Sequence, residues 1–415
     1  MINEIKERIE LISRGEVPKG YKKTDVGIVP VEWESKKLKD IGKFSKGKGL
    51  PGSEMTNQGV PCVGYGDIYT KYNLCFDKAH NFVSQDIANQ SVPVSKGSLL
   101  FTSSGETQIE IGKCICYIGN EPIYVGGDIE ILELNKTLNG LFVGYQQNIF
   151  SSIKQKARYG QGNSVVHIYS NSLGRLGVAY PENIEEQEKI ANILLNWDKA
   201  ICLQEELIKK LELQKKALMQ KLLTPKKDWQ TVKIGNLTKE LSIRNKNNAC
   251  QNIKSVSNRF GFINQDEQFS KQVASLDMSK YKIVKCNDIA YNPSRINVGS
   301  IAIYEDIDIG IISPMYVVFE CIGITPKLLL LLLDTNKGKY DIKSFLTGSV
   351  RDTLNYDDLS NIVIKLPNDK QCSKILELFN ALESNIATAT KKLKKLKQQQ
   401  KSMQQLLLTG IVRVN

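Results

Sequence analysis

Two stretches of the chain repeat their apolar positions every seven residues. In the first, Ile190, Trp197, Gln204, Leu211 and Leu218 fall seven apart; in the second, Ile375, Leu382, Ala389, Leu396 and Met403 do so at a constant offset of 185. The partner seam is filled by Ile193/Leu194, Ala200/Ile201, Leu207/Ile208 and Leu222, matched by Leu378/Phe379, Ile386, Leu393 and Leu406/Leu407. An a/d pattern of this length predicts one long helix in each stretch, over 181–224 and 367–409. Both stretches end in Leu-Leu-Thr, at 222–224 and 407–409, followed by Pro225 or Gly410, which continue a helix poorly. At 1.5 Å per residue, a helix over residues 185–223 would span roughly 58 Å, too long to be buried in one compact domain. The two helices are therefore expected to pack against each other, with two unrelated surface helices as the alternative.

The repeat continues upstream. Residues 173–181 lie at an offset of 186 from residues 359–367, and each nonapeptide reads as a short strand leading to a proline. Each half opens with a tryptophan and then Ile-Gly, Trp33 with Ile41-Gly42 and Trp229 with Ile234-Gly235. A further match sets 96–101 against 285–291. Short runs rich in Val, Ile and Tyr, such as 114–118, 129–134 and 301–304, are punctuated by Gly, Asn and Asp and predict strands. Helices are expected near 138–157 and 327–345.

The expected fold class is α+β. Two mixed modules stand in tandem, joined by two long helices packed as an antiparallel coiled coil, with pseudo-two-fold symmetry. The divisions are an N-terminal arm (1–30, beginning helically with Ile2, Ile5, Ile9 and Ile12), a first globular module (31–180), a central long helix (181–224), a second globular module (225–366) and a C-terminal long helix (367–415). The positions expected to pack the helices are Ile190, Trp197, Leu211, Leu218, Ile375, Leu382, Leu396 and Met403.

Composition narrows the chemistry. The nine cysteines form no Cys-x-x-Cys pair, which fits reduced thiols in a cytoplasmic protein. Cys114 and Cys116 read as one face of a strand rather than a zinc half-site. The aliphatic run 328–333 is far short of the ~20 residues a bilayer span needs, and the N-terminus lacks the apolar stretch of a signal peptide. No membrane association is expected. The segment Gly47-Lys-Gly-Leu-Pro-Gly-Ser53 is a near miss to a phosphate-binding loop, but no lysine follows its last glycine. Tyr291-Asn-Pro-Ser294 faintly resembles the signature of amino-methyltransferases without its second proline and aromatic residue. With two histidines, neither in a nucleophile motif, no active site, metal or cofactor is expected.

The net charge of +12 favours a polyanionic partner. A duplicated basic module on a rod can read two places on duplex DNA, and the rod would cap their separation at about 17 base pairs. Residues in loops able to contact phosphates or base edges are the candidates: Lys46, Lys48, Thr102, Ser103, Ser104, Arg158, Gln161 and Asn163 in the first domain, and Arg244, Lys246, Asn292, Arg295 and Arg351 in the second. The lysines at 391, 392, 394, 395, 397 and 401 surround the seam positions Leu393 and Leu396 and read mainly as the solvated face of a coiled coil, part of which could face phosphates.

The duplicated pattern of a Trp-led strand module ending Leu-x-x-Ile/Leu-x-Val/Ile-x-x-Pro, followed by a heptad helix ending Leu-Leu-Thr, resembles the specificity subunit of type I restriction-modification enzymes. So do Gly59-Val-Pro-Cys-Val-Gly-Tyr-Gly-Asp-Ile-Tyr69 and the stretch 15–30. The resemblance spans nearly the whole chain. It implies two target recognition domains reading a bipartite double-stranded site, and spacer helices that dock methylation subunits, two of them, together with restriction subunits. Adenine methylation with S-adenosylmethionine and ATP-driven cleavage would then belong to the partners, leaving this chain non-catalytic. The alternatives are a stand-alone DNA methyltransferase or nuclease, or a coiled-coil scaffold protein. Helices built to dock partners also leave self-association in isolation open.

Overall fold

A computed structural model describes residues 2–258, 261–264, 277–346 and 352–414. The chain forms two compact units, one from residues 1–205 with 392–415, the other from 206–391. Both long helices exist, Ile184–Leu222 and Asp369–Leu408, and each contributes to both units.

The first unit is built on a five-stranded mixed sheet in the order Gly42–Lys46, Ile129–Leu134, Leu99–Thr102, Cys114–Tyr117, Cys75–Phe76. Its central strands are apolar on both faces because both are covered. Cys114 and Cys116 point into the larger core with Trp33 and Phe142, while Ile115 and Tyr117 join a second core under a four-stranded sheet. That sheet runs Asn81–Val83, Val60–Val63, Ile123–Val125, Val92–Val94. A two-stranded ribbon pairs Glu34–Lys37 with Gly177–Tyr180 and carries the chain into the first long helix.

The second unit repeats this plan. Its main sheet runs Thr238–Leu241, Val317–Cys321, Ile289–Tyr291, Ile301–Ile303, and its other four-stranded sheet Gly261–Asn264, Ile253–Ser257, Gly310–Ile312, Lys282–Val284. The ribbon is Gln230–Lys233 with Val363–Leu366. Among the described residues, the order along the chain and across each sheet matches the first unit except for the edge strand Cys75–Phe76, which has no counterpart in the second main sheet. Stretch 96–101 does correspond to 285–291, since Leu99–Thr102 and Ile289–Tyr291 take the same place.

Within each unit the two long helices run antiparallel. In the first, Asp198 accepts from Tyr145 Oη at 2.5 Å and from Gln400, while Glu205 pairs with Lys397 at 2.6 Å. Partner numbers fall as numbers on the first helix rise, the mark of an antiparallel pair. In the second unit Lys215 meets Glu383 at 2.6 Å, and Met219 and Leu223 share a core with Ile375 and Phe379. The repeated Leu-Leu-Thr ends behave alike: each threonine hydroxyl donates one turn back, Thr409 to Gln405 O at 2.6 Å and Thr224 to Gln220 O. Gly410 then turns left-handed (φ 67°), where a Cβ would strike Pro30 Cδ at 2.6 Å and Trp33 Cζ2 at 2.9 Å. The tail beyond it is pinned by Arg413, whose guanidinium grips Glu186 at 2.6 and 2.7 Å.

The single helices expected near 138–157 and 327–345 are each two. Gly140–Gln146 and Phe150–Tyr159 are separated where Asn148 Nδ2 donates to Gly144 O (2.8 Å) and Cys114 O (2.7 Å), tying the helix end to the sheet. Pro326–Asp334 and Asn336–Ser344 part at Thr335, whose hydroxyl accepts from Gly338 N at 3.0 Å and donates to Leu332 O at 2.7 Å. Three seam positions also differ: Ala200, Leu207 and Leu378 are exposed. A straight helix drifts about 20° per heptad against a 3.5-residue repeat, and next to Leu378 it is Phe379, buried to 1%, that fills the core.

Candidate nucleic-acid interface

Strand polarity gathers the candidates at one end of each main sheet. Gly42–Lys46 and Leu99–Thr102 both pair antiparallel with Ile129–Leu134, so they run in the same sense and finish at the same end of the sheet, on either side of that strand. Thr238–Leu241 and Ile289–Tyr291 do likewise around Val317–Cys321. Lys46 and Lys48 follow the first strand of one sheet, and Arg244 and Lys246 follow the first strand of the other. Thr102, Ser103 and Ser104 end the third strand of one, and Asn292 and Arg295 follow the third strand of the other. Nine of the candidates, Lys46, Lys48, Thr102, Ser103, Ser104, Arg244, Lys246, Asn292 and Arg295, thus occupy matching strand ends and loops of two modules whose loop sequences are unrelated.

Their exposures divide them. Lys46, Lys48, Arg158, Gln161, Asn163, Arg244, Lys246 and Arg295 are exposed, and Ser104 is half-buried. Thr102 and Ser103 are fully buried and Asn292 is 6% exposed, so these three support the loops from within rather than meeting a ligand. The reason is their place at the end of a central strand, which neighbouring elements cover on both sides. Arg351 lies outside the described residues. Of the helix positions, Ile190, Ile375 and Leu382 are buried, whereas Trp197, Leu211, Leu218, Leu396 and Met403 are half-buried.

In the first unit a polar network organises the loop ends. Tyr69 Oη lies 2.8 Å from Thr102 Oγ1 and donates towards Ser104 O (3.0 Å) and Glu110 O (3.2 Å). Burial pushes the Tyr69 phenol up to about 12, so it stays a neutral donor near neutral pH. Ser104 Oγ meets His167 Nδ1 at 3.0 Å, His167 stacks on Tyr169 with ring centroids 6.1 Å apart, and Lys46 Nζ sits 5.5 Å from the Tyr169 centroid. Gln161 and His167 exchange backbone hydrogen bonds at 2.9 and 2.7 Å, which brings the Gln161–Asn163 turn to the same place. Opposite Lys46 across the sheet, Glu130 is 2% exposed; burial pushes its carboxyl up, while Lys46 and Ser170 pull the other way.

Sequence reasoning missed Tyr69, His167 and Tyr169, although Tyr69 closes the Gly59–Tyr69 motif. That motif folds as a strand and a short helix, Tyr65–Thr70, at whose start Gly64 N donates to Asp67 Oδ2 at 2.9 Å. Asp67 is in turn held by Asn81 Nδ2 at 2.8 and 2.9 Å, so the helix and its Tyr69 are fixed against the sheet.

In the second unit the loop after Tyr291 is closed by its own backbone. Asn292 N donates to Ser300 O at 3.0 Å and Ser300 N to Arg295 O at 3.1 Å. Arg244 Nη1 donates to Lys280 O at 2.7 Å. A cavity of about 1060 Å³ opens beside this loop, lined by Val298, Lys215, Lys327, Lys339 and Glu383 among others. Its lysines are largely committed, Lys215 and Lys327 to Glu383 and Lys339 to Asp334 at 2.7 Å, so it offers no bare cationic wall. Among the described residues no His, Cys, Asp and Glu cluster could hold a metal ion, and no helix is long and apolar enough to cross a membrane.

Comparison with known proteins gives this architecture its class. Residues 30–213 match the model of the type I restriction modification DNA specificity domain. The chain is 25% identical over 421 residues to the MjaVIII type I restriction enzyme specificity subunit of Methanocaldococcus jannaschii, covering 93% of this chain and 94% of that one. It is also 25% identical over 440 residues to the putative MjaX specificity subunit of the same organism, covering 95% and 97%. The fold is that of the type I restriction-modification S subunit from M. genitalium (TM-score 0.58, 14% identity, 90% and 96% covered). A chain from a structure describing complex assembly and conformational transition of the type I R-M system is similar as well (TM-score 0.55, 12% identity, 92% and 99% covered). The resemblance to type I specificity subunits, first carried by the duplicated motifs, is thus shown by family model, relatives and fold together.

Proposed function

We propose that the chain acts as the DNA-specificity subunit of a type I restriction-modification complex. Each unit reads one half of a bipartite double-stranded target, the first around Lys46, Ser104, Gln161 and Asn163, the second around Arg244, Lys246 and Arg295. The divisions set out from sequence, an arm, two recognition domains and two spacer helices, serve this reading, and the antiparallel helices carry the docking of two methylation subunits and of restriction subunits. The chain itself contributes the address and no reacting group.

The observation that carries this is the repetition of one sheet order with cation-bearing loops at the same strand ends of both units, combined with loop sequences that have nothing in common. One scaffold with two divergent reading edges suits a target of two unlike halves. The test is to map methylated adenine genome-wide in cells with and without the gene. A two-part motif separated by unspecified bases should vanish on deletion, and Arg295→Ala should relax only one half of it. A methylome indifferent to the deletion would refute the reading.

A further inference from the structure

Two reading loops with unrelated sequences each hold one aliphatic side chain out into solvent. Residues 103–113 join Leu99–Thr102 to Cys114–Tyr117, and residues 292–300 join Ile289–Tyr291 to Ile301–Ile303, the same pair of neighbouring strands in each main sheet. In the first, Ile109 is 73% exposed while Ile111 is buried to 1%; in the second, Val298 is 54% exposed while Ile296 is buried to 3%. Isolated exposed aliphatics are ordinary on protein surfaces. Recurrence at the corresponding loop of both units, beside the cations of the same sheet end, is what singles these out.

Neither loop is slack. Tyr69 Oη bridges the start and end of the first loop, and Ile111 N donates to Thr107 O at 3.2 Å. Thr107 Oγ1 donates to Glu110 Oε2 at 2.9 Å, closing the turn under Ile109. In the second loop Val298 N donates to Arg295 O at 3.2 Å and Gly299 N to Ile296 O at 2.9 Å, with Gly299 left-handed (φ 89°). Each buried isoleucine anchors its loop, and the exposed residue two positions away is displayed on a fixed backbone. A loop backbone already ordered in this way loses little entropy when its exposed side chain meets a ligand.

On the edges of duplex DNA the apolar group that distinguishes one base is the thymine 5-methyl in the major groove. Resting on the DNA-reading function proposed above, we propose that Ile109 and Val298 are specificity-determining residues, each contacting a thymine methyl group in the half-site read by its own unit.

The test uses the full chain in complex with its methylation partners and duplexes carrying the mapped motif. Thymines are replaced one at a time by deoxyuridine, which lacks only the methyl group. In each half-site one replacement should weaken binding by about fourfold, the value of one buried methyl-sized group. For Ile109→Ser the replacement in one half-site should lose its effect, and for Val298→Ser the replacement in the other. Both substitutions are at exposed positions, so an unchanged thermal midpoint is the accompanying control. Equal deoxyuridine effects in wild type and variants, or both variants acting on the same half-site, would overturn the inference while leaving a mapped bipartite motif intact. Absence of any motif would instead remove the function on which it rests.

Discussion

Tyr69 concentrates several demands on one hydroxyl: it faces Thr102 Oγ1 and two loop carbonyls, and burial keeps it protonated. Tyr69→Phe strands the fully buried Thr102 hydroxyl, so it should cost about 1 kcal/mol in urea unfolding. Methylation at one half of the motif should fall further than stability alone explains, because the first loop loses its clamp. Lys156 poses a different problem. It is 2% exposed, donates to Gly112 O at 2.7 Å, and desolvation lowers its ammonium from 10.5 to about 8. Below pH 8 both folded and unfolded chains carry this proton, and burying the charge costs stability. Between pH 8 and 10.5 the folded chain releases it first while the unfolded chain keeps it, so stability should rise with pH there, by up to about 1.4 kcal/mol per unit. Urea midpoints across that window should climb in wild type, and the climb attributable to this residue should disappear in Lys156→Met.

Among the elements, the long helices were the most legible in the sequence and the loops the least. A seven-residue period with matching Leu-Leu-Thr ends is a signal that accumulates over forty residues, and the helices end within two residues of where it stops. The strands at 114, 129 and 301 were legible from their β-branched runs. What the period could not show is where a helix face changes partner: Leu207 and Leu378 have seam spacing yet stand in solvent, and beside Leu378 it is Phe379 that meets the core. The break at Asn148 was invisible for a related reason, since it depends on a side chain reaching Cys114 O, whose position only the fold supplies, whereas the break at Thr335 rests on a local cap to Leu332 O and Gly338 N inside an apolar run that reads as one helix. The candidate interface was half legible. Its charged residues announce themselves by type, but burial of Thr102, Ser103 and Asn292 follows from central strands, and Tyr69 comes from an element far away in sequence. At this scale Phe379→Ala tests the core where the second long helix meets its unit. With Phe379 1% exposed, the loss should be about 3 kcal/mol or more by urea unfolding. Glu383→Ala, removing a half-buried carboxylate that binds both Lys215 and Lys327, should cost about 1 kcal/mol.

Over the whole molecule, residues 206–391 are one continuous excursion between the two pieces of the first unit. The excursion leaves and returns on helices already paired, with Glu205 against Lys397 at 2.6 Å. Replacing 206–391 by a loop of about six Gly and Ser residues, long enough to join two packed helices, should leave a first unit that unfolds cooperatively in urea and keeps Trp33 in its apolar site by fluorescence. A broad, non-cooperative transition would show that the unit depends on the excised part. The same connectivity sets an order in time. The first unit needs Leu407, Leu408 and Arg413 for its core and its closing ion pair, with Leu408 O accepting from Gln146 Nε2 at 2.8 Å. The second unit is drawn entirely from residues 206–391. On the ribosome, the module begun first is therefore finished last, waiting as an open sheet until the final helix emerges. A chain broken off early would carry a finished second module and an unfinished first one, so a product of interrupted synthesis lacks half of its reading surface and exposes the apolar face that marks it for removal.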